Sequence, residues 1–258
     1  MSPSIKAAPA SRPQVYFFAT CVIDLFYPDA GMDAIAVLEH AGFEVLFPES
    51  QTCCGQPAYT SGFPEEAREV MRAQLTLFPA PLPIVVPSGS CMGMMRHHWP
   101  HLCGEDAALR SRVSDISARV VEFTDFIADR IDLSKLKRKS QQVCLHTSCS
   151  ARRETGALSS GRKVLAGLPG VTLLIQDHES ECCGFGGTFS VKHPEISAAM
   201  ANDKVAALTA SGCDSFVSAD CGCLLNLNTT LEKRGMPLRG RHVASLLRDR
   251  LPDDGVIL

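Results

Sequence analysis

A duplicated cysteine pattern constrains this chain more than any other feature of its sequence. The tripeptide Cys-Cys-Gly occurs twice, about 130 residues apart. In each half a cysteine precedes the pair, with 31 residues between them in the first half and 32 in the second, and another follows after 36 or 39 residues. The repeated cysteines are Cys21, Cys53, Cys54 and Cys91 in the first half, and Cys149, Cys182, Cys183 and Cys223 in the second. This shared spacing indicates an internal repeat.

Short apolar segments alternate with amphipathic ones in both halves. The predicted strands are 15–19, 43–47, 84–86 and 119–121 in the first half, and 143–146, 171–175 and 215–218 in the second. A proline followed by glutamate predicts a helix start at Pro64 and at Pro194, because proline suits the first helical turn and carboxylates suit the positive end of the helix dipole. The alternation predicts an α/β fold of two tandem, pseudo-repeated, Rossmann-like parallel sheets.

We expect the two repeats to divide at the basic segment 133–141. Its charges are Lys135, Lys137, Arg138 and Lys139. Because no aromatic side chain interleaves with them, we interpret the segment as a solvated linker and not as a nucleic-acid patch. The predicted organisation is therefore a disordered tail at 1–13, a first repeat at 14–132, this linker, and a second repeat at 142–258.

Charge and hydropathy exclude several classes of partner. The net charge of −3 provides no basic surface for nucleic acid or anionic lipid. No apolar run approaches the roughly 20 residues of a membrane span, and residues 1–13 lack the apolar stretch of a signal peptide. We therefore expect a cytoplasmic protein whose 12 cysteines serve metal or redox chemistry instead of disulfides.

Each repeated cysteine follows a predicted strand within a few residues. Ligands of open parallel sheets bind beyond the carboxyl ends of the strands, so we expect the four cysteines of each half to converge on one crevice. Four thiolates suit either a [4Fe–4S] cluster or one tetrahedral zinc ion. Adjacent residues on an extended chain point in opposite directions, which favours two irons of a cluster over one small ion.

Buried structural thiols are the alternative interpretation, since free cysteine is common in protein cores. We assign that role to Cys103, Cys144 and Cys213, which have no counterpart in the other half. Cys221 lies two residues before Cys223 and stays open as an additional ligand.

The sequence around the repeated cysteines resembles a known family. The first half carries Thr20-Cys21, Phe26-Tyr27-Pro28, Gln51-Thr52-Cys53-Cys54-Gly55-Gln56-Pro57-Ala58-Tyr59, Pro87-Ser88-Gly89-Ser90-Cys91 and Arg96-His97-His98, and the second half Glu181-Cys182-Cys183-Gly184-Phe185-Gly186-Gly187-Thr188-Phe189-Ser190-Val191-Lys192. These motifs resemble the lactate utilisation protein A family of cysteine-rich CCG-domain proteins. The CCG-domain subunit of heterodisulfide reductase and the glycolate oxidase iron–sulfur subunit are its relatives. The resemblance extends from about residue 15 to about residue 250.

The resemblance implies an iron–sulfur electron-transfer subunit of a complex that oxidises L-lactate to pyruvate without a nicotinamide cofactor. The eight repeated cysteines would hold one or two [4Fe–4S] clusters, with zinc as an alternative in one repeat. The chain has no ferredoxin-type Cys-x-x-Cys-x-x-Cys-x-x-x-Cys-Pro run. The resemblance therefore implies two partners, a ferredoxin-type iron–sulfur subunit and a third lactate-utilisation subunit.

The chain departs from the heterodisulfide reductase pattern at one element. That relative ends its motif in Cys-x-x-Cys, whereas the first of these positions is Ser88 in one repeat and Asp220 in the other. We therefore expect simpler four-cysteine clusters, with Cys221 as a substitute fifth ligand only if its loop shifts. The match around Arg96 and His98 further suggests that these two side chains bind a substrate carboxylate.

Two other functions stay open from the sequence. The first is thiol–disulfide redox chemistry of the heterodisulfide reductase type, or membership of a glycolate-oxidising complex. The second is a non-catalytic scaffold whose cysteine sites are filled by zinc.

Overall fold

The structure is a computed structural model that describes residues 12–252. It contains the strands β1 (Gln14–Phe17), β2 (Glu44–Leu46), β3 (Ile84–Val86), β4 (Val120–Glu122), β5 (Gln141–Leu145), β6 (Val171–Leu174), β7 (Ser215–Ser218) and β8 (Gly240–His242). They form two parallel four-stranded sheets, ordered β2-β1-β3-β4 and β6-β5-β7-β8. The identical order confirms the predicted α/β repeat. Residues 1–11 of the predicted tail lie outside the described residues.

Helices connect the parallel strands in both repeats. They are α1 (Cys21–Phe26), α2 (Pro28–His40), α3 (Gln56–Thr60), α4 (Pro64–Leu75), α5 (Gly89–Gly93), α6 (Ala107–Arg119), α7 (Phe123–Ile127), α8 (Cys149–Glu154), α9 (Ala157–Gly167), α10 (Phe189–Lys192), α11 (Pro194–Ala210), α12 (Cys221–Lys233) and α13 (Val243–Arg248). As predicted, α4 begins at Pro64 and α11 at Pro194. No helix within 12–252 is long and apolar enough to cross a membrane.

One apolar core joins the two repeats. Val37 and Leu38 of α2, together with Leu246 and Leu247 of α13, are fully buried in a cluster that also contains side chains from both sheets. The basic segment 133–141 packs against the same cluster, because Leu133 and Leu136 are buried in it. Shared apolar burial therefore holds the repeats together, in addition to the chain segment that connects them.

The cysteine-bearing helices pack across the boundary between the repeats. Helix α5 of the first repeat packs on α8 of the second, and α1 of the first packs on α12 of the second. The contact between α5 and α8 requires glycine, since a Cβ built at Gly89 would lie 2.4 Å from the Cβ of Ala151. These two contacts place the strand-end cysteines of one repeat beside those of the other.

A buried carboxylate at the end of β4 gives the fold a pH-dependent stability. Glu122 is fully buried, accepts hydrogen bonds from the backbone amides of Thr124 (2.7 Å) and Asp125 (3.2 Å), and thereby caps α7. Burial raises the pKa of Glu122 to about 8. An unfolded glutamate ionises near pH 4.5, so the unfolded chain loses this proton first as the pH rises. Stability should therefore fall by about 1.4 kcal/mol per pH unit between those two pKa values.

We expect the replacement Glu122→Gln to remove this dependence. The variant should gain stability relative to the unmodified chain as the pH rises from 5 to 8, measured by urea unfolding at several pH values. Glu66→Gln, which changes an exposed carboxylate of α4, is the matched control and should leave the pH profile unchanged. Parallel profiles of stability against pH for Glu122→Gln and the unmodified chain would contradict the assignment of this pH dependence to Glu122.

Candidate functional site

One cavity beyond the carboxyl ends of the strands is shared by the two sheets. The cavity has a volume of about 290 Å³ and is lined by residues of both repeats. Its cysteines are Cys21, Cys54, Cys91, Cys149, Cys182, Cys183, Cys221 and Cys223. Seven of the eight repeated cysteines are among them, and the eighth, Cys53, lies with its Sγ 3.6 Å from the Sγ of Cys21. The sequence suggested one crevice per half, whereas the packing of α5 on α8 and α1 on α12 makes one common chamber.

Backbone turns after the strands bring the thiols into the cavity. Thr20, between β1 and α1, is buried with φ of +68°, a conformation that strains a β-branched residue. It directly precedes Cys21 and lines the cavity. Gly55 and Gly184, which follow the cysteine pairs, have φ of +84°, a region where glycine carries no steric cost. Backbone strain like that at Thr20 is typical of functional sites.

The thiols of the first repeat form a continuous cluster. Hydrogen bonds from the Cys21 and Cys54 thiols lower the pKa of Cys53 to about 3. The hydrogen bond to Cys53 and burial raise the pKa of Cys21 far above its usual value, and hydrogen bonds to Cys53 and Cys91 raise that of Cys54. The amide of Gly55 donates to the Cys53 Sγ at 3.4 Å. One thiolate is therefore favoured, and it suppresses ionisation of its neighbours.

The thiols of the second repeat form a similar cluster with a different balance. A hydrogen bond to Cys149 lowers the pKa of Cys182, the counterpart of Cys53, but hydrogen bonding to Cys183 and burial outweigh it and raise the pKa. Hydrogen bonding to Cys182 and burial raise the pKa of Cys149 far above its usual value. A hydrogen bond to Cys183 lowers the pKa of Cys223, but burial and nearby anionic groups outweigh it and raise the value to about 11. Two amides donate to sulfur, that of Gly184 to Cys182 at 3.4 Å and that of Phe185 to Cys183 at 3.5 Å.

These donor sets fit a metal centre. Crowded, buried thiols resist joint ionisation because each thiolate repels the next, and a bound cation removes that penalty by deprotonating its ligands. Backbone amides directed at sulfur stabilise the negative charge of a thiolate-bound cluster. The structure therefore supports a metal or iron–sulfur centre at the cysteine clusters.

Ser88 and Asp220 stand where the heterodisulfide reductase pattern has a cysteine, and both accept hydrogen bonds from backbone amides. The Ser88 Oγ accepts from the Cys91 amide at 3.5 Å and caps α5. Asp220 accepts from the Ser90 amide at 3.0 Å, a bond that joins the two repeats. Cys221 is buried at the cavity wall, and burial, followed by the charges of Asp220 and Cys91, raises its pKa. Cys221 therefore lies near Cys91 of the first repeat as well as near the thiols of the second repeat. Sequence spacing could not show this proximity.

The other candidate residues lie away from the cavity wall. Arg96 is exposed and donates to the Val120 carbonyl at 2.9 Å. The half-buried His98 lies 3.5 Å from Glu154 and contacts the Tyr59 ring at 5.1 Å between centroids. Neither side chain lines the cavity. The binding of a substrate carboxylate by Arg96 and His98 stays a prediction.

The three unrepeated cysteines are also absent from the cavity wall. Cys103 lies against the Trp99 carbonyl at 3.6 Å. Cys144 and Cys213 share a hydrogen bond that lowers the pKa of Cys213 to about 6. Both residues also contact the Ser211 hydroxyl. The Sγ of Cys144 lies 3.1 Å from it, and the backbone amide of Cys213 donates to it at 3.3 Å.

Sequence reasoning missed one functional candidate, His146. Its ring and the thiols of Cys183 and Cys223 place three ligand atoms within 4.8 Å of one another, the one such group found within 12–252. Burial lowers the pKa of His146 to about 3, so the ring is neutral, the form that binds metals. The available signal was its position at the end of a strand, three residues before Cys149.

Comparisons with known proteins identify the domains and the relatives of this chain. The sequence matches the cysteine-rich domain CCG at residues 15–96 and again at 143–228. It is 39% identical over 238 residues to lactate utilization protein A of Geobacillus sp. (strain WCH70), covering 92% of this chain and 100% of that protein. The protein of the same name from Exiguobacterium sp. is 38% identical over 240 residues, covering 92% and 98%.

A solved structure shares the fold. A hypothetical protein from Helicobacter pylori superposes with a TM-score of 0.71 over 96% of this chain, at 8% sequence identity. This chain spans 50% of that one, and at such low identity the likeness shows the fold alone. Because it contains two cysteine-rich CCG domains and matches these relatives over almost their whole length, the chain belongs to the lactate utilization protein A family of CCG-domain proteins.

Proposed function

We propose that this chain is an iron–sulfur electron-transfer subunit of a multi-protein system that oxidises L-lactate to pyruvate. The observation that carries the proposal is the collection of both cysteine clusters around one cavity, in a chain whose relatives are named for lactate utilization. Each cluster would hold a [4Fe–4S] centre, with zinc as the alternative occupant of one repeat. Such a centre, when bound, supplies one-electron transfer.

The residues of this chain would bind the centres and set their electrostatics. The eight repeated cysteines of the first and second halves provide the thiolate ligands. The amides of Gly55 and Gly184 donate to cysteine sulfur, which stabilises the more negative, reduced state of a cluster. Cys54 and Cys183 are almost completely buried, so their side of each cluster is shielded from water.

The proposal includes partners and a compartment. The chain has no ferredoxin-type cysteine run, so electrons need a further carrier. A ferredoxin-type iron–sulfur subunit would serve as that carrier, and a third lactate-utilisation subunit would complete the system. Free thiols in this number require a reducing environment, which favours the cytoplasm.

The first test is the metal content of the protein purified without oxygen. We expect iron and sulfide near four or eight per chain, the amounts for one or two [4Fe–4S] clusters, and an electron paramagnetic resonance (EPR) signal after dithionite reduction. Zinc at both cysteine clusters without iron would contradict the proposal and favour a zinc-filled scaffold. A chain that binds neither metal would also contradict it.

A second candidate function is thiol–disulfide redox chemistry. It is favoured by the cavity of about 290 Å³ that is lined by cysteines of both repeats, since a small disulfide there would contact both cysteine clusters. Addition of small disulfides to the reduced protein should then perturb the EPR spectrum of the centres. An unchanged spectrum across a range of such compounds would leave lactate oxidation as the proposal, with glycolate as the alternative 2-hydroxy acid.

A further inference from the structure

Two buried histidines of this chain have opposite surroundings. His242 is 1% exposed, its Nε2 donates to the Pro87 carbonyl at 3.1 Å, and its Nδ1 accepts from the Ala244 amide at 3.1 Å. His146 is also 1% exposed, but neither ring nitrogen has a hydrogen-bond partner among the described residues. Burying such a group without a partner is unfavourable, because its hydrogen bonds to water are lost and not replaced. A buried polar group of this kind requires an explanation.

The thiols beside His146 explain why its ring has no hydrogen-bond partner. A ring nitrogen of His146 and the sulfurs of Cys183 and Cys223 lie mutually within 4.8 Å. One nitrogen and two sulfur ligands around a tetrahedral metal are about 3.5–3.8 Å apart, from metal–nitrogen and metal–sulfur bonds of about 2.0 and 2.3 Å. Contraction by about an ångström would therefore allow all three to bind one ion, whereas ligands on different irons of a cluster lie farther apart, so separations of up to 4.8 Å fall between these two arrangements.

The first repeat has no equivalent donor. His146 precedes Cys149 by three residues, and the residue three before Cys21 is Phe18. Phe18 is fully buried in the apolar core that contains Cys54 and Cys91. A phenyl ring cannot bind a metal, so the two otherwise parallel cysteine clusters differ in donor chemistry.

We propose that His146 is a metal ligand of the second repeat, together with Cys183 and Cys223, so that this centre is histidine–cysteine ligated while the first is ligated by cysteine alone. The inference deepens and rests on the proposed iron–sulfur function. One thiol of the Cys149–Cys182 pair would complete the four ligands of a cluster. Because the neutral imidazole would take the place of one thiolate, the centre would carry one negative charge fewer, and histidine in place of cysteine raises the potential of iron–sulfur centres. The second centre is therefore the better electron acceptor of the two.

The test is pulsed EPR of the reduced, full-length protein after growth with ¹⁵N-labelled histidine. The unmodified chain should show a ¹⁵N coupling of the strength expected for a directly bound imidazole. His146→Cys replaces the nitrogen donor with a thiol donor, so it should retain iron, lose the coupling and lower the midpoint potential of one centre. His242→Gln is the matched control, since it removes an equally buried histidine, and it should retain the coupling.

The outcomes separate this inference from the proposed function. A full complement of iron in the unmodified chain without ¹⁵N coupling would overturn the ligand assignment while leaving the iron–sulfur function intact. Coupling that persists in His146→Cys would also overturn it, because another histidine would then be the source. Absence of metal from the unmodified chain would overturn both. The labelled unmodified protein decides the question even if His146→Cys fails to fold.

Discussion

Replacing Cys54 or Cys183 with alanine is expected to remove the iron of the corresponding repeat and to reduce lactate-dependent electron transfer to background. Both thiols are almost completely buried, and each lies between its neighbours in the cluster, Cys54 between Cys53 and Cys91 and Cys183 between Cys182 and Cys223. Alanine has no metal-binding atom, so the remaining thiols would have to close the site alone. Iron per chain and electron transfer in the system reconstituted with its partners are the measurements.

The control for these two variants is Cys103→Ala. Cys103 is similarly buried but contacts the Trp99 carbonyl at 3.6 Å and does not line the cavity. Its replacement should preserve both iron and electron transfer, which separates loss of a ligand from loss of a buried thiol. Normal iron and full activity in Cys54→Ala and Cys183→Ala, with far-ultraviolet circular dichroism showing a folded chain, would refute the ligand assignment.

Replacing Gly89 with alanine is expected to destabilise the chain by more than about 2 kcal/mol and to lower its metal content. The added Cβ would lie 2.4 Å from the Cβ of Ala151 and 3.2 Å from its Cα. A backbone atom cannot move aside as a flexible side chain can, so α5 and α8 must separate. That separation opens the cavity between the repeats, and denaturant unfolding together with iron analysis would measure both effects.

Gly156→Ala is the matched substitution. Gly156 precedes α9, its φ of −83° suits any residue, and a Cβ there would meet nothing within 4 Å. We expect a change in stability below about 1 kcal/mol, the size associated with an alanine at a helix N-cap, and unchanged iron. Equal stability losses for the two variants would show that the contact between α5 and α8 does not depend on Gly89.

The alternation of strands and helices was predictable from local pattern alone. Ile84–Val86 and Ser215–Ser218 form strands with the predicted bounds, and Pro64 and Pro194 begin helices as predicted. These features depend on residues close in sequence, through side-chain periodicity and the fixed φ of proline. Local pattern could not predict the cross-repeat pairs, α5 with α8 and α1 with α12, because they depend on how two sheets share one apolar core.

His146 shows the same limit at the candidate site. In the sequence it is the last residue of a predicted strand, and a buried histidine there is equally consistent with an ordinary hydrogen-bonded core residue such as His242. Its lack of a partner, and its position beside Cys183 and Cys223, appear only in three dimensions. The sequence by itself determined the repeat and the fold class and singled out the eight repeated cysteines as candidate donors, since spacing and periodicity are encoded along the chain. Only the tertiary structure decided that both cysteine clusters face one cavity and that a buried histidine lies beside one of them, because burial and proximity between residues distant in sequence follow from packing.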